Sequence, residues 1–206
     1  VPAAAAPPDL PAERLAPPPT PGPPADMAVL TVEHAPEGFH ATHDARQKTY
    51  RYTLYQGRTR PLFARGFAWH IPGALDLSAM RAAAAHLLGE QDFASFQSVG
   101  SPRESTVRTI LNVSVSGAGE QGADAGDATP PVWNAALHEA PGRVAVDVTG
   151  DGFLSHMVRT IAGPLVDVGR GGREPQWVAE AIAARDRRAA GQTAPAHGLM
   201  LMRVEY

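Results

Sequence analysis

The segment GDGFLSHMVRTIAG, residues 150–163, constrains the fold of this chain more strongly than any other stretch. From Phe153 to Leu165 its apolar positions cover well over half of a helix circumference, and a helix this apolar lies mostly inside a protein. The segment also carries Arg159, whose permanent charge costs roughly several kcal/mol to bury without a partner. The planar guanidinium suits a carboxylate or a phosphate, so an anionic partner is one interpretation. The alternative is a position at the rim of the core, with the charged group in water.

Alternating and helical patterns along the chain predict an α+β fold. Strands are expected in MAVLTVE, the second half of FHATHDARQKTYRYTLY, FAWH, VRTILNVSVS, VWNAALH, RVAVDVTG and GLMLMRVEY. Helices are expected in DLSAMRAAAAHLLG, capped by Asp76 and stopped by Gly89, in the opening segment, and in EPQWVAEAIAARD. EQDFASFQS is expected to be a short connection. This pattern favours a mixed, mainly antiparallel sheet with helices packed on one face.

Composition divides the chain into a tract and one domain. Residues 1–25 are a Pro/Ala-rich tract that is expected to be disordered. Residues 26–206 are expected to form the domain, with a surface loop at about 117–131. The sequence contains neither a signal-peptide pattern nor an apolar run of 18 residues, so we expect a cytoplasmic protein without a membrane segment.

The charges are distributed unevenly. The formal net charge is −3, which is unusual for a dedicated nucleic-acid binder. Residues 46–65 nevertheless hold six cations and no acid: Arg46, Lys48, Arg51, Arg58, Arg60 and Arg65. Such a strip can bind a polyanion on a near-neutral protein, although a solvated strand face is the alternative. With no cysteine and no HExxH among eight histidines, a metal site is not expected.

Five segments, in order, resemble signatures of the tRNA pseudouridine synthase A family. GDGFLSHMVRTIAG is similar to its F-(L/V)-x-H-M-V-R-x-I-x-G signature, and FHATHDARQKTYRY to F-H-A-x-x-x-A-x-x-(K/R)-x-Y-x-Y. HLLGEQDFASFQS, TVRTIL and TAPAHGLMLMRVEY resemble three further elements. The resemblance extends over roughly residues 25–206.

This resemblance implies a fold and an activity. It implies a pseudouridine synthase catalytic domain that isomerises uridine to pseudouridine in the anticodon stem-loop of tRNA, at uridines 38–40. A carboxylate nucleophile is implied, with neither cofactor nor metal, and the family is dimeric. The target base must leave its stack to react.

The resemblance also implies roles for single residues. Arg159 pairs with the nucleophilic aspartate, and Tyr50 contacts the flipped uridine, whereas the residues alone favour a core tyrosine at position 50. Tyr52, on the same strand face, is the more structural of the two tyrosines. Arg108 either supports the pocket or forms an ordinary ion pair. The cations expected to face RNA phosphates are Arg46, Lys48, Arg51, Arg58 and Arg60.

One signature of the family does not occur. Its nucleophilic aspartate lies in an R-T-D-x-G-V-H motif upstream of the matching region, and no R-T-D is found in these 206 residues. Asp44, Asp92 and Asp151 occupy other family positions, so no catalytic nucleophile is assigned in this chain. We expect the C-terminal two thirds of a truncated synthase, inactive alone. The alternatives are a non-catalytic RNA-binding module and a gene remnant that does not fold stably.

Overall fold

A computed structural model of the chain describes residues 32–98, 100, 104–120 and 140–206. The chain divides into two units, Val1–Ala45 with Tyr206, and Arg46–Glu205. The predicted Pro/Ala tract, the strand VWNAALH and most of the strand MAVLTVE lie outside the described residues, as does most of the predicted loop at 117–131. The domain boundaries therefore stay predictions.

The described residues of the second unit form a six-stranded sheet. Its strands are β1 (Gln47–Gln56), β2 (Trp69–Ile71), β3 (Gly89–Asp92), β4 (Val107–Gly117), β5 (Arg143–Gly150) and β6 (Leu199–Glu205). The order is β2-β1-β5-β4-β3, and β6 pairs with β1. The described pairs are antiparallel except the parallel pair of β1 and β2. The mixed, mainly antiparallel sheet predicted from the sequence is confirmed.

In the described ranges, three α-helices accompany the sheet: α1 (Leu77–Ala85), α2 (Met157–Gly169) and α3 (Trp177–Ala184). The Asp76 carboxylate caps α1 by accepting a hydrogen bond from the Ala79 amide at 3.0 Å, as the sequence predicts. Helix α1 ends before the predicted stop at Gly89, because that glycine begins β3. Helix α2 begins at Met157, four residues after Phe153.

The core lies between the three helices and one face of the sheet. Alternation along the strands places Tyr52 and Leu54 on the same face as Val146, and all three are fully buried in one cluster with residues of α1, α2 and α3. The opposite face of the sheet is polar at its centre, where Arg51 and Asp147 pair across β1 and β5. The three described helices pack on the apolar face, where the side chains of the strands are buried.

The segment EQDFASFQS differs from its prediction as a plain connection. It contributes most of β3, which pairs with β4, and a 3-10 turn at Ala94–Phe96. Phe93 and Phe96 are fully buried and contact each other edge to face, with ring centroids 5.9 Å apart. Pairing with a distant strand and burial of two rings outweigh the weak local pattern of this segment.

The described part of the first unit is a compact turn. The His40 amide donates to the Asp44 carboxylate at 2.7 Å, and the His40 imidazole accepts from the Thr42 amide at 3.2 Å. The Phe39 ring meets the Tyr206 ring edge to face at 4.9 Å. These contacts lie among residues of the first unit alone.

Candidate active site

Arg159 lies in the first turn of α2 and is half-buried. Its Nε donates to the Ala194 carbonyl at 2.8 Å, and the Ala194 amide donates back to the Arg159 carbonyl at 3.0 Å. Within the described residues, no carboxylate forms an ion pair with this guanidinium and no acceptor bonds its two terminal nitrogens. The structure therefore orients the guanidinium plane through a neutral backbone carbonyl.

The segment Gly191–Pro195, which supplies that carbonyl, is itself held in place. Arg187 donates from one terminal nitrogen to the Gly191 carbonyl at 2.7 Å and from the other to the Thr193 hydroxyl at 2.6 Å. Gly163 of α2 lets the segment approach, since a Cβ there would lie 2.0 Å from the Gln192 carbonyl oxygen. Arg159 is thus oriented by a segment with its own hydrogen bonds, which is the support that a precise site needs.

Tyr52 joins the same segment from the sheet. It is fully buried and its hydroxyl donates to the Pro195 carbonyl at 2.6 Å. Burial raises the pKa of the Tyr52 phenol, while the nearby Arg159 charge opposes that shift. Tyr52 is therefore a buried, neutral group near Arg159, and its predicted structural role stays a prediction.

Tyr50 lies two residues earlier on the same face of β1, opposite Val148 and Leu201. It is half-buried, and its ring contacts that of Phe153 edge to face at 5.1 Å. Its hydroxyl makes no hydrogen bond within the part of the chain that the structure describes. Because Phe153 precedes α2, the segment 153–159 brings an aromatic contact for Tyr50 and the Arg159 charge to one side of the sheet.

Sequence reasoning missed three parts of this site. The first is the Ala194–Pro195 backbone, whose only signal was the TAPAHG motif. The second is the edge contact of Phe153 with Tyr50. The third is the backbone turn at His156 that leads into α2, where this residue adopts a left-handed conformation with φ of 61°, an unusual choice for a residue with a Cβ.

The predicted basic strip is divided by the structure. Arg46 is exposed and Lys48 half-buried at the start of β1, whereas Arg58, Arg60 and Arg65 are exposed beyond its end. Ten strand residues at about 3.3 Å each separate the two groups by roughly 30 Å. The strip is continuous in sequence and becomes two clusters in space.

Arg51 differs from the other cations because it has a carboxylate partner. Its Nε and Nη2 donate to the two oxygens of Asp147 at 2.6 and 2.8 Å, and the side chains are 13% and 2% exposed. Arg143 is buried nearby, where burial and, secondly, the Arg51 charge lower its pKa, while Asp147 opposes this. The three groups form a polar cluster on the sheet face opposite the helices.

Arg108, the remaining residue singled out from the sequence, has no ion pair among the described residues. Its guanidinium donates to the Ser105 carbonyl at 3.1 Å and to the Val107 carbonyl. In the same described ranges, no group of three or more His, Asp or Glu side chains could hold a metal ion. No helix described here is long and apolar enough to cross a membrane.

The sequence is similar to known proteins over most of its length. The sequence matches the family described as tRNA pseudouridine synthase over residues 83–206. It is also similar to proteins named tRNA pseudouridine synthase A from Geotalea uraniireducens, Moorella thermoacetica and Nitratidesulfovibrio vulgaris, with 40%, 43% and 45% identity. The alignments cover 89%, 89% and 90% of this chain. They cover 66%, 65% and 69% of the relatives, so the chain spans about two thirds of their length.

Proposed function

Because this chain belongs to the tRNA pseudouridine synthase family, we propose that it takes part in isomerising uridine to pseudouridine in tRNA. One observation carries the proposal: the half-buried guanidinium of Arg159 is anchored at Nε, and its terminal nitrogens are unbonded within the described residues. It lies near the buried Tyr52 of β1, and the half-buried Tyr50 lies two residues earlier on the same face of that strand. An anchored guanidinium suits a carboxylate, and an accessible aromatic ring suits a flipped base.

In the proposed reaction, Arg159 is the partner of a nucleophilic carboxylate. The bond between N1 of uracil and ribose breaks, the base turns, and C5 forms the new bond to ribose. C5 then loses its hydrogen as a proton, and N1 takes up a proton, so the reaction is an isomerisation. The carboxylate forms a covalent adduct in between and leaves when the new bond closes. A cation at hydrogen-bond distance lowers the pKa of this carboxylate and keeps it ionised, while the fixed guanidinium plane orients it.

Tyr50 supplies the proposed surface for the extruded base. A base that leaves its stack loses contacts, and an aromatic ring in the pocket replaces part of them. Phe153 supports the Tyr50 ring from its edge, which limits the rotation of that ring. We propose no nucleophile among the residues of this chain, because no R-T-D occurs in its sequence.

We propose that Arg46, Lys48, Arg51, Arg58 and Arg60 contact phosphates of the anticodon arm and that the target uridines are 38–40. Among these cations Arg51 contributes least, because its Nε and Nη2 already donate to Asp147. The two exposed clusters, roughly 30 Å apart, suit a substrate as long as a tRNA arm. We also propose that the working form is a homodimer in the cytoplasm.

The proposal is tested with an unmodified tRNA transcript tritiated at C5 of uridine, because forming the new carbon–ribose bond releases this hydrogen to water. We expect the 206-residue chain alone to bind the transcript at low salt and to release no tritium. The substitutions Arg46→Gln and Lys48→Gln should weaken tRNA binding and reduce its salt dependence. Turnover by the chain alone would refute its inactivity, and no binding at low salt would refute its part in tRNA modification.

A further inference from the structure

The loop that joins β1 to β2, residues 57–68, carries an unusually exposed apolar cluster. Phe63 is 99% exposed, Leu62 68% and Phe67 55%. Burying a phenylalanine is among the largest hydrophobic gains open to a folding chain, and this loop leaves two of them in water. Exposed apolar side chains that lie together mark an interaction surface more often than isolated ones do.

The backbone of the loop explains how these side chains are presented. The amides of Phe67 and Ala68 both donate to the Ala64 carbonyl, at 2.9 and 3.0 Å, which closes a single helical turn. Ala64 and Ala68 are buried, 8% and 4% exposed, and anchor that turn. Phe63 and Phe67 flank this turn, and both side chains are exposed to solvent.

The base of the loop is fixed to the sheet. The Gly57 amide donates to the Ile71 carbonyl at 3.1 Å, and the His70 Nε2 donates to the Gly57 carbonyl at 2.8 Å. These bonds join the first residue of the loop to the strand that follows it. The exposed rings consequently sit on an anchored support, which lowers the entropy lost when a ligand binds.

The charge of the loop indicates which ligand it takes. Arg58, Arg60 and Arg65 are exposed, and no acid lies in residues 57–68. Exposed rings among cations match a single-stranded nucleic acid, since every base offers a face for stacking and every nucleotide a phosphate. A symmetric contact with a second copy would instead bring two sets of three arginines together.

We infer that the loop 57–68 is a nucleotide-binding loop, in which an unpaired base of tRNA stacks on Phe63 while Arg58, Arg60 and Arg65 hold the flanking phosphates. The inference rests on the proposed function, because it takes tRNA as the substrate. It adds a base contact away from the Tyr50 and Arg159 site, and hence a determinant of how the substrate is positioned.

The test compares variants of the 206-residue chain in their affinity for an unmodified tRNA transcript, measured by fluorescence anisotropy at several salt concentrations. Phe63→Leu keeps apolar bulk and removes the aromatic face, and should weaken binding at least about fivefold. Phe63→Trp keeps the face and should stay within about twofold of the parent. Leu111→Ala, which alters an apolar side chain 52% exposed on β4, is the matched control and should change nothing.

Salt dependence separates stacking from charge. Phe63→Leu should leave the slope of log affinity against log salt unchanged, whereas Arg58→Gln should reduce it by about 0.7–0.9. Because the Phe63 side chain is 99% exposed, replacing it should leave the melting temperature at that of the parent.

The outcomes distinguish this inference from the proposed function. Equal affinities for the parent and Phe63→Leu would overturn the stacking role and leave tRNA binding intact. If Phe63→Leu converts a dimeric parent to a monomer in sedimentation and leaves the tRNA affinity unchanged, the inference would also be overturned. The loop would then be assigned to contact with a second copy of the chain. Failure of the parent itself to bind tRNA at low salt would refute both proposals.

Discussion

Replacing Asp147 by Asn should destabilise the domain strongly, because it removes the buried carboxylate that pairs with Arg51 and lies near the buried Arg143. Asp147 is 2% exposed, accepts two hydrogen bonds from Arg51, and lies near the buried Arg143. Breaking a buried ion pair by removing one partner costs about 3–5 kcal/mol. Arg51 keeps 13% exposure, so water offsets part of this loss and the lower end of the range, about 3 kcal/mol, applies.

Urea and thermal unfolding followed by far-UV circular dichroism measure the effect of Asp147→Asn. For a domain of this size, about 3 kcal/mol corresponds to a fall of roughly 6–12 °C in melting temperature. The urea midpoint should fall while the slope m stays constant. The double variant Arg51→Met, Asp147→Leu should recover part of the loss, because an apolar pair replaces the Arg51–Asp147 ion pair, whereas the buried Arg143 still loses the neighbouring Asp147 carboxylate.

The surface pair of Asp186 and Arg188 provides the matched control. The Arg188 side chain is 91% exposed, so Asp186→Asn should leave the free energy of unfolding unchanged within error. A melting temperature for Asp147→Asn within about 2 °C of the parent would refute the structural role of the buried pair. A comparable fall for Asp186→Asn would show that the loss is not specific to the polar cluster.

Two further predictions concern the support of Arg159. Gly163→Ala places a Cβ 2.0 Å from the Gln192 carbonyl oxygen and should lower the free energy of unfolding by about 1–3 kcal/mol, as measured by urea titration. Gly152→Ala is the control, because its Cβ would lie 3.6 Å from the nearest atom, and it should leave the free energy of unfolding unchanged. The raised pKa of Tyr52 means that the folded state retains a proton that the unfolded state releases near pH 10, so stability should fall as the pH rises above about 10. Tyr52→Phe should flatten this dependence and, through its lost bond to Pro195, cost about 1 kcal/mol at neutral pH; an unchanged alkaline slope would contradict the assignment.

The sequence was sufficient for the elements whose pattern is local. Alternation along KTYRYTLY, VRTILNVSVS and RVAVDVTG predicts β1, β4 and β5, and Asp76 predicts the start of α1. The near-continuous apolar surface after Phe153 likewise predicts α2 and its position in the core. In each case the information lies within a few residues of the element it specifies.

The contacts that build the site are not local, and the sequence alone does not reveal them. Arg159 meets the Ala194 carbonyl across 35 residues, and Arg51 meets Asp147 across 96. Only the sheet register and the approach of α2 to residues 191–195 bring these groups together. For the same reason β3 escapes prediction, since its short polar sequence becomes a strand only by pairing with β4.

The central claim is that Arg159 is the partner of the nucleophilic carboxylate. Its most direct test fuses an N-terminal segment of a family member, which carries R-T-D-x-G, ahead of this chain and measures the rate of tritium release. We predict turnover for the parent fusion. Arg159→Lys should lower kcat at least about a hundredfold with tRNA affinity unchanged, because it loses the planar fork that holds the carboxylate. Arg170→Lys, at the exposed end of the same helix, is the control and should keep the parent rate. Equal rates for the parent fusion and Arg159→Lys would contradict the role of Arg159 as the partner of the nucleophile.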